Sequence, residues 1–381
     1  MKIPRNYILF DIVAPHTPDY YRDKSIAETK ELVKTLTHGE GEVLHVVQQR
    51  VHPHSGTYMG PGKIEELLPV IKNDKIECVI INDILRAGQI YDLTMAFWGV
   101  NPDIKVWDKA DLILQIFRRN ANTAAAKLQI ELAAMRHMGP RIFGMGLVLS
   151  RQGGGVGTKG IGETNTERMK RHWRVEMKKT EEKLEKLHED LKERIQKRKD
   201  KGIKSVALVG YTNAGKTSLF NALTNKSKLA KDALFATLDS ATGYMSEDYD
   251  PSSPPRSFDR RSPILITDTI GFMKGMPPSL IKAFSSTLIE TKYADLIVHI
   301  VDSSDEDIVE KIDIVMKTLA EIGADKTQSL LLFNKMDMPP RAPLGRIVEL
   351  IKTHKGIPVS AKDDESLKGV KWQIRQVLRS G

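Results

Sequence analysis

The stretch of sequence that decides the fold is Gly210-Tyr-Thr-Asn-Ala-Gly-Lys-Thr217. It fits the pattern GxxxxGK[ST], follows the strand-like run SVALVG and precedes the helix-like run TSLFNALT. Its glycines let backbone N–H groups curl around phosphate oxygens, while Lys216 supplies positive charge and Thr217 can bind Mg²⁺. A plain glycine turn before an amphipathic helix is the alternative, but the motif in this strand-to-helix setting is specific. The stretch therefore predicts a phosphate-binding loop.

A second motif, Asp268-Thr-Ile-Gly271, comes after the apolar run PILIT. A carboxylate at a strand end can hold Mg²⁺ through water, and the Gly271 N–H can donate to the γ-phosphate of a nucleotide. DxxG alone is common, so its position downstream of the first motif is what makes it informative. Phe272 comes next, where Ras-like enzymes carry the glutamine that orients the attacking water. We therefore predict slow intrinsic hydrolysis that a partner or another segment of the chain accelerates.

Two later motifs predict which base is bound. Asn334-Lys-Met-Asp337 follows the run SLLLF, and Asp337 can accept from both N1–H and the 2-amino group of guanine, a donor pair that adenine lacks. An isolated NKMD would be interpreted as a helix cap. Ser360-Ala-Lys362 follows IPVS and supplies a backbone N–H for guanine O6. The order of the motifs predicts a site for guanine nucleotides, with GTP as substrate and Mg²⁺ as cofactor.

The run LFATLDSATG contains Thr237, whose hydroxyl can close over Mg²⁺ only when a γ-phosphate is present. We interpret this run as a switch loop, with an ordinary surface turn as the alternative. The predicted catalytic residues are Lys216, Gly271 and Thr237, and the predicted metal ligands are Thr217, Thr237 and Asp268. The residues predicted to contact the nucleotide are Gly210, Tyr211, Thr212, Asn213, Ala214, Gly215, Lys216, Thr217, Ser218, Phe235, Ala236, Thr237, Leu238, Asp239, Asp268, Thr269, Ile270, Gly271, Asn334, Lys335, Met336, Asp337, Ser360, Ala361 and Lys362.

Length and periodicity divide the 381 residues into three parts. Residues 1–107 alternate strand-like and helix-like runs, which predicts a small parallel α/β subdomain. Residues 108–201 are expected to form a long antiparallel helical pair joined by a glycine-rich loop at 139–163. Residues 202–381 return to alternation and are expected to form a doubly wound P-loop G domain. The predicted fold class is therefore α/β.

The helical pair is predicted from two apolar stripes at spacings of three and four residues. The first helix is expected to start near Asp108 and to run to about Met138, and the second is so charged that only a narrow seam can be buried. The first stripe consists of Leu114, Phe117, Ala121, Ala124, Leu128, Leu132 and Met135, and the second of Trp173, Met177, Leu184, Leu187, Leu191 and Ile195.

The chain is basic, with 58 Lys and Arg residues against 49 Asp and Glu residues and a formal charge of +9. A polyanionic partner such as RNA and simple solubility are equal alternatives for this excess. The same alternatives apply to the basic end of the second helix, which carries Arg194, Lys197, Arg198, Lys199 and Lys201. The glycine-rich stretch between Gln152 and Glu163 is interpreted as a loop that faces RNA or nucleotide, with a flexible hinge as the alternative.

Other features restrict the class of protein. No run of 18 apolar residues occurs, the single cysteine, Cys78, excludes an intramolecular disulfide, and His52 and His54 lack companions at metal-ligand spacing. We expect a cytoplasmic protein without a membrane span or a zinc site, associated in part with ribosomes or membranes. We expect a monomer, although either long helix leaves room for a dimer seam.

Four stretches resemble the HflX family, and together they extend over nearly the whole chain. They are TYMGPGKIEEL at 57–67, AKLQIELAAMRHMGPRI at 126–142, SRQGGGVGTKGIGETNTE at 150–167 and LFATLDSATG at 234–243. The resemblance implies an N-terminal α/β subdomain, a helical pair and a G domain of the translation-factor-related class. It also implies binding to ribosomes, chiefly the large subunit and its rRNA, and splitting or rescue of stalled ribosomes with hydrolysis stimulated there. The form resembled is the short one, without the extra C-terminal domain of many bacterial members.

Two other functions remain as alternatives. One is an RNA-remodelling ATPase with a second nucleotide site in the N-terminal domain, although no GxxxxGK[ST] occurs there. The other is a regulatory scaffold that binds guanine nucleotide and RNA but hydrolyses GTP slowly, as Phe272 in place of the water-orienting glutamine would allow.

Overall fold

The computed structural model describes residues 3–152, 161–224, 226, 235, 241–245, 263–274, 280 and 288–380. This part of the chain divides into two compact units. The first contains residues up to 119 and 127–184, and the second contains 120–126 and most of the chain from 185 onward. Each unit is built around its own sheet.

The first unit contains a four-stranded parallel sheet in the order β2-β1-β3-β4. Residues 7–10 of β1 and all of β3 form continuous apolar runs that are buried, as expected for the middle strands of a parallel sheet covered by helices. The elements are β1 (Asn6–Val13), α1 (Asp19–Thr37), β2 (Glu42–Gln49), α2 (Pro61–Asn73), β3 (Cys78–Ile81), α3 (Ala87–Trp98) and β4 (Lys105–Asp108). The predicted small parallel α/β fold is confirmed, and Cys78 lies in a buried strand.

The first long helix of the prediction is in fact two helices, α4 (Lys109–Asn120) and α5 (Ala124–Gln152). Asp108 caps α4, since its Oδ1 accepts from the Asp111 N–H at 2.9 Å. Thr123 caps α5, since its Oγ1 accepts from the Ala126 N–H at 3.2 Å. Thr and Asn side chains compete with the helical backbone for hydrogen bonds and so favour helix ends. The prediction of one continuous helix was wrong because the apolar stripe continues across the break, whereas the break itself depends on the hydrogen bond by which Thr123 caps α5.

The prediction of an irregular loop over residues 139–163 was also wrong at both ends. The second charged helix, α6, spans Ile161–Asp200, and α5 continues to Gln152, so residues 139–152 and 161–163 are helical. Each glycine lowers helix stability by about 1 kcal/mol and Pro140 by about 3 kcal/mol, so the local sequence argues against a helix here and no local pattern explains this part of α5. Residues 153–160 of the predicted loop lie outside the described residues.

α5 and α6 pair through Trp173, whose Nε1–H donates to the Met135 carbonyl at 3.2 Å, and through Arg136 and Glu181, whose charged atoms lie 2.9 Å apart. The direction of the pair follows from chain reach. From the Met135–Trp173 contact, α5 extends about 25 Å to its end and α6 about 18 Å back to its start. A parallel pair would require eight residues to bridge about 43 Å, whereas they reach at most about 30 Å. The helices therefore run antiparallel, as predicted.

The second unit contains a six-stranded sheet in the order β10-β9-β8-β5-β7-β6. All pairings are parallel except that of β6 with β7, which is antiparallel. The elements are β5 (Lys204–Gly210), α7 (Lys216–Thr224), β6 (Ala241–Tyr244), β7 (Ile264–Asp268), α8 (Ile289–Lys292), β8 (Leu296–Asp302), α9 (Ile308–Glu321), β9 (Ser329–Asn334), α10 (Leu344–Thr353), β10 (Ile357–Pro358) and α11 (Asp364–Ser380). This confirms the doubly wound G-domain fold.

The sequence predicts a strand before the proline- and serine-rich segment at 248–263 without giving its bounds, and the edge strand β6 lies there; three of its four residues, 241–243, also belong to the run interpreted as a switch loop. A four-residue strand has too few positions to show an alternating pattern, and its pairing with β7 is a tertiary contact. The segment DYDPSSPPRSFDRRSP at 248–263 combines prolines and serines between two strand candidates and is predicted to be an exposed hairpin connection; its residues 248–262 lie outside the described residues. None of the described helices is long and apolar enough to cross a membrane.

Candidate functional site

The phosphate-binding loop lies between β5 and α7, and two of its glycines are required by close contacts. Gly215 has φ of +93°, a conformation that residues with a Cβ rarely adopt, and a Cβ there would collide with the Asn334 side chain. A Cβ on Gly210 would collide with the carbonyl of Ile300 in β8. The loop therefore packs against the ends of neighbouring strands, and its glycines permit this approach.

Lys216 begins α7 and is only 7% exposed. Its Nζ donates to the carbonyls of Gly210 at 3.1 Å and Tyr211 at 2.8 Å, so the loop itself holds the ammonium group. Burial lowers the pKa of Lys216 to about 8, although the nearby Asp268 carboxylate acts in the opposite direction. An anion bound in the loop would favour the charged form of this lysine, because opposite charges at short range raise a cation's pKa.

The first two motifs meet at Thr217 and Asp268. The Thr217 hydroxyl donates to Asp268 Oδ2 at 3.0 Å, and Asp268 lies fully buried at the end of β7. Both groups are hard oxygen ligands of the kind that Mg²⁺ prefers. The structure therefore brings together two of the three residues that the sequence predicts to be metal ligands.

The segment that follows Asp268 lies directly against the phosphate-binding loop. A Cβ on Gly271 would lie 2.8 Å from Thr212 Cα and 2.9 Å from Lys216 Nζ, so only glycine brings this backbone so close. The next residue, Phe272, is 4% exposed, and its ring offers no hydrogen-bonding group with which to orient a water molecule. Thr269 and Ile270 are buried, and the Thr269 hydroxyl donates to the Leu208 carbonyl at 2.7 Å.

The third and fourth motifs are joined to each other and to the loop by Asn334. Its Nδ2 donates to the Ala214 carbonyl at 2.9 Å, and its Oδ1 accepts from the Ala361 N–H at 3.1 Å. Asp337 lies beside Ser360 and Lys362, which donate to its two carboxylate oxygens at 2.8 and 3.1 Å. The hydrogen bond from Ser360, followed by that from Lys362, lowers the pKa of Asp337. Asp337 is therefore kept ionised, as an acceptor for two donors must be.

Asp302 belongs to this arrangement and was missed in the sequence. Its Oδ2 accepts from Lys335 Nζ at 2.7 Å, and its Oδ1 accepts from the Ser304 N–H at 2.9 Å. Lys335 has φ of +63°, a costly conformation for a residue with a side chain, and the pair with Asp302 helps to hold it. The signal that could have found Asp302 is a carboxylate directly after the apolar strand β8, at the same sheet edge as the motifs.

The remaining predicted residues are placed as follows. Asn213 lies within the loop at φ of +62°, and Ser218 lies in the first turn of α7. Met336 donates its N–H to the Val359 carbonyl at 3.2 Å. The carbonyl of Phe235 accepts from Asn120 Nδ2 at 3.0 Å, and its side chain is buried. The predicted switch residues Ala236, Thr237, Leu238 and Asp239 lie outside the described residues.

The two histidines that were considered for a metal lie in a loop of the first unit. The Thr57 N–H donates to His54 Nδ1 at 3.2 Å, so this ring nitrogen accepts a hydrogen bond within the loop.

A doubly wound sheet with this loop at the end of its central strand β5 defines the class of P-loop nucleotide-binding proteins. Three family models match successive parts of the chain. They are described as GTP-binding GTPase N-terminal over residues 23–118, GTP-binding GTPase Middle Region over 120–198 and 50S ribosome-binding GTPase over 205–335.

Relatives at the level of whole chains agree. GTPase HflX of Alkalihalophilus pseudofirmus is 39% identical over 360 residues, which is 94% of this chain and 79% of the relative. GTPase HflX of Thermococcus kodakarensis is 35% identical over 329 residues, 86% of this chain and 70% of the relative. A crystal structure of SsGBP in complex with GDP is similar with a TM-score of 0.52 and 25% identity over 99% of both chains. The chain belongs to the HflX family of GTPases and hydrolyses GTP, which confirms the resemblance inferred from the motifs.

Proposed function

We propose that this GTPase is a nucleotide-dependent switch that binds ribosomes, chiefly the large subunit and its rRNA, and splits or rescues stalled ribosomes. The observation that supports the switch is how closely the Gly271 backbone lies against Lys216. A Cβ added at Gly271 would lie 2.9 Å from the lysine Nζ. Backbone this close to the phosphate-binding lysine can sense whether a γ-phosphate is present. Support for the ribosome comes from HflX membership, from the charge of +9 and from the match of residues 205–335 to the model described as 50S ribosome-binding GTPase.

The proposed roles follow the geometry. Backbone N–H groups of residues 210–217 and Lys216 bind the β- and γ-phosphates, Gly271 donates to the γ-phosphate, and Asp337 with the Ala361 N–H recognises guanine. Thr237 closes over the metal when GTP is bound. The proposed domains remain residues 1–107, 108–201 and 202–381.

Mg²⁺ fits the pair formed by Thr217 and Asp268, because a fully buried carboxylate beside a hydroxyl is a site of hard oxygen donors. Thr217, Asp268 and Thr237 would hold the ion. When bound, Mg²⁺ neutralises charge that develops on the β- and γ-phosphate oxygens. The hydrogen bond from Thr217 to Asp268 holds the two oxygen donors side by side, where both would be available to the ion.

The catalytic step needs a group that the described part of the site does not supply at residue 272. Phe272 is buried and apolar, so a ribosomal component or another segment of the chain must orient the attacking water. We therefore expect the isolated protein to hydrolyse GTP slowly and the ribosome-bound protein to hydrolyse it faster. External groups that complete GTPase sites raise turnover by about 10³–10⁵-fold, so a stimulation of at least roughly tenfold is a modest expectation.

The test is GTP turnover by the full chain with and without large ribosomal subunits, together with co-sedimentation in GDP, a non-hydrolysable GTP analogue or no nucleotide. We expect stimulated turnover and tighter sedimentation with the analogue. Small subunits serve as the matched control. Equal sedimentation in all three states would contradict the switch, and nucleotide-dependent binding without stimulation would favour the slow regulatory scaffold instead.

A further inference from the structure

Tyr211 makes two contacts that the motif pattern does not specify, because any residue satisfies the pattern at its position. Its carbonyl accepts from Lys216 Nζ at 2.8 Å, and its hydroxyl accepts from the backbone N–H of Lys274 at 2.9 Å. The ring is 8% exposed. One residue of the phosphate-binding loop thus touches both the phosphate-binding lysine and the segment that follows Gly271.

The same two segments are joined through their backbones. The Phe272 N–H donates to the Gly210 carbonyl at 3.1 Å, and the Thr212 N–H donates to the Phe272 carbonyl at 2.8 Å. These bonds flank a β-bridge between Tyr211 and Phe272. The Tyr211 hydroxyl adds a third hydrogen bond at Lys274, two residues further along. Gly271, just before this attached stretch, is the residue whose N–H we assign to the γ-phosphate.

The Tyr211 ring is itself held from α9. Lys311 Nζ lies 4.8 Å from the ring centroid, where a cation is attracted to the ring face, and Lys311 also forms an ion pair with Asp305. Next to it on α9, Glu310 Oε1 lies 2.6 Å from Lys274 Nζ. The ring of Tyr211 is thus held by Lys311, whereas the ion pair of Lys274 with Glu310 is largely exposed and adds little. The Tyr211–Lys274 hydrogen bond is therefore a connection already formed within the chain.

We propose that Tyr211 is a positioning residue that sets how strongly the site favours GTP over GDP. This rests on the proposed assignment of Gly271 to the γ-phosphate. If the hydroxyl holds residues 272–274, the Gly271 N–H is already in place when GTP arrives, and little ordering is required. Loss of the hydroxyl loosens this segment but leaves the loop backbone and Lys216 intact. The variant should then lose affinity for GTP and not for GDP, because GDP has no γ-phosphate to contact Gly271.

The test is Tyr211→Phe in the full chain, a change that keeps the ring and its contact with Lys311. We expect the affinity for GDP to stay within about twofold of wild type. The affinity for a non-hydrolysable GTP analogue and the single-turnover hydrolysis rate should each fall about fivefold, the typical effect of one net hydrogen bond. Lys311→Met, which removes the cation but keeps most of the side chain, should give a smaller loss in the same direction.

Tyr7→Phe is the matched control, because Tyr7 is also buried and donates its hydroxyl to a backbone carbonyl, that of Pro4, at 2.7 Å in the first unit. It should leave the ratio of the two affinities unchanged. An unchanged ratio in Tyr211→Phe, or an equal loss for both nucleotides, would overturn the proposal. Gly271→Ala distinguishes failure of this proposal from failure of the γ-phosphate assignment. If Tyr211→Phe and Gly271→Ala both leave the ratio of the two affinities unchanged, the assignment of Gly271 to the γ-phosphate is wrong. If only Gly271→Ala changes the ratio, the assignment stands and the role of Tyr211 is wrong.

Discussion

The guanine end and the γ-phosphate end of the site are built differently. At the proposed guanine end, Asn334, Asp337, Ser360 and Ala361 are joined to one another and to the loop by hydrogen bonds within the chain. At the γ-phosphate end, Lys216 and Gly271 lie close together, but residue 272 supplies no polar side chain. Under the proposed function, the chain preorganises recognition of the base and another group orients the catalytic water.

This difference explains how one site can bind nucleotide steadily and hydrolyse it on demand. Groups that recognise the base must be correct in both GTP and GDP states, so holding them rigidly has no cost for switching. Groups at the γ-phosphate must differ between the two states, and their completion by a partner couples hydrolysis to binding of that partner.

The largest effect is expected from Asp337→Asn, which tests the guanine end directly. An amide cannot accept from both N1–H and the 2-amino group, so affinity for GTP should fall by about 10²-fold or more while affinity for XTP rises. Competition between the two nucleotides measures the change. Asp313→Asn, an exposed carboxylate on α9, is the control. An unchanged preference for GTP would refute Asp337 as the group that recognises guanine.

A smaller effect is expected from Gly215→Ala, which tests the connection between the two ends. The new Cβ would be strained at φ of +93° and would push Asn334 from the Ala214 carbonyl. Strain of this kind costs about 1–3 kcal/mol, so nucleotide affinity should fall about tenfold and the midpoint of urea unfolding should decrease.

Gly369→Ala in α11 provides the control for this change, because a Cβ there meets open space. Alanine in an exposed helix stabilises by about 0.5–1 kcal/mol relative to glycine, so the midpoint should rise slightly. Equal behaviour of the two variants would show that Gly215 does not connect the ends.

The smallest effect is expected from Ser360→Ala, which sharpens the electrostatics of the guanine end. The Ser360 hydrogen bond is the main cause of the lowered pKa of Asp337. Affinity for GDP should therefore be retained as the pH decreases until it passes below the usual value of 3.8, and should be lost as Asp337 becomes protonated. In Ser360→Ala this loss should move to higher pH. Measuring GDP affinity as a function of pH gives the midpoint of this loss, with Ser366→Ala as the control. The same midpoint in wild type and in Ser360→Ala would contradict the role of Ser360.

The fold could be predicted where local patterns carry it. Buried apolar runs predict the strands of both sheets, and the spacing of GxxxxGK[ST] between a strand and a helix predicts the loop at Lys216. The break before α5 could not be predicted from the apolar stripe, because it depends on the capping of α5 by Thr123. The bounds of strand β6 could not be predicted, because its four residues acquire strand geometry only by pairing with β7.

The sequence by itself determined the class of protein, a GTPase with a P-loop, and it is the basis on which we propose that Lys216, Asp268, Gly271 and Asp337 recognise phosphate, metal and guanine. Only the tertiary structure decided how these groups support one another. Asp302 under Lys335, Asn334 between Ala214 and Ala361, and the Tyr211 hydroxyl on Lys274 are contacts between distant parts of the chain. A motif records which groups face the ligand, whereas the partners that hold those groups are brought together only when the parallel strands align at one edge of the sheet.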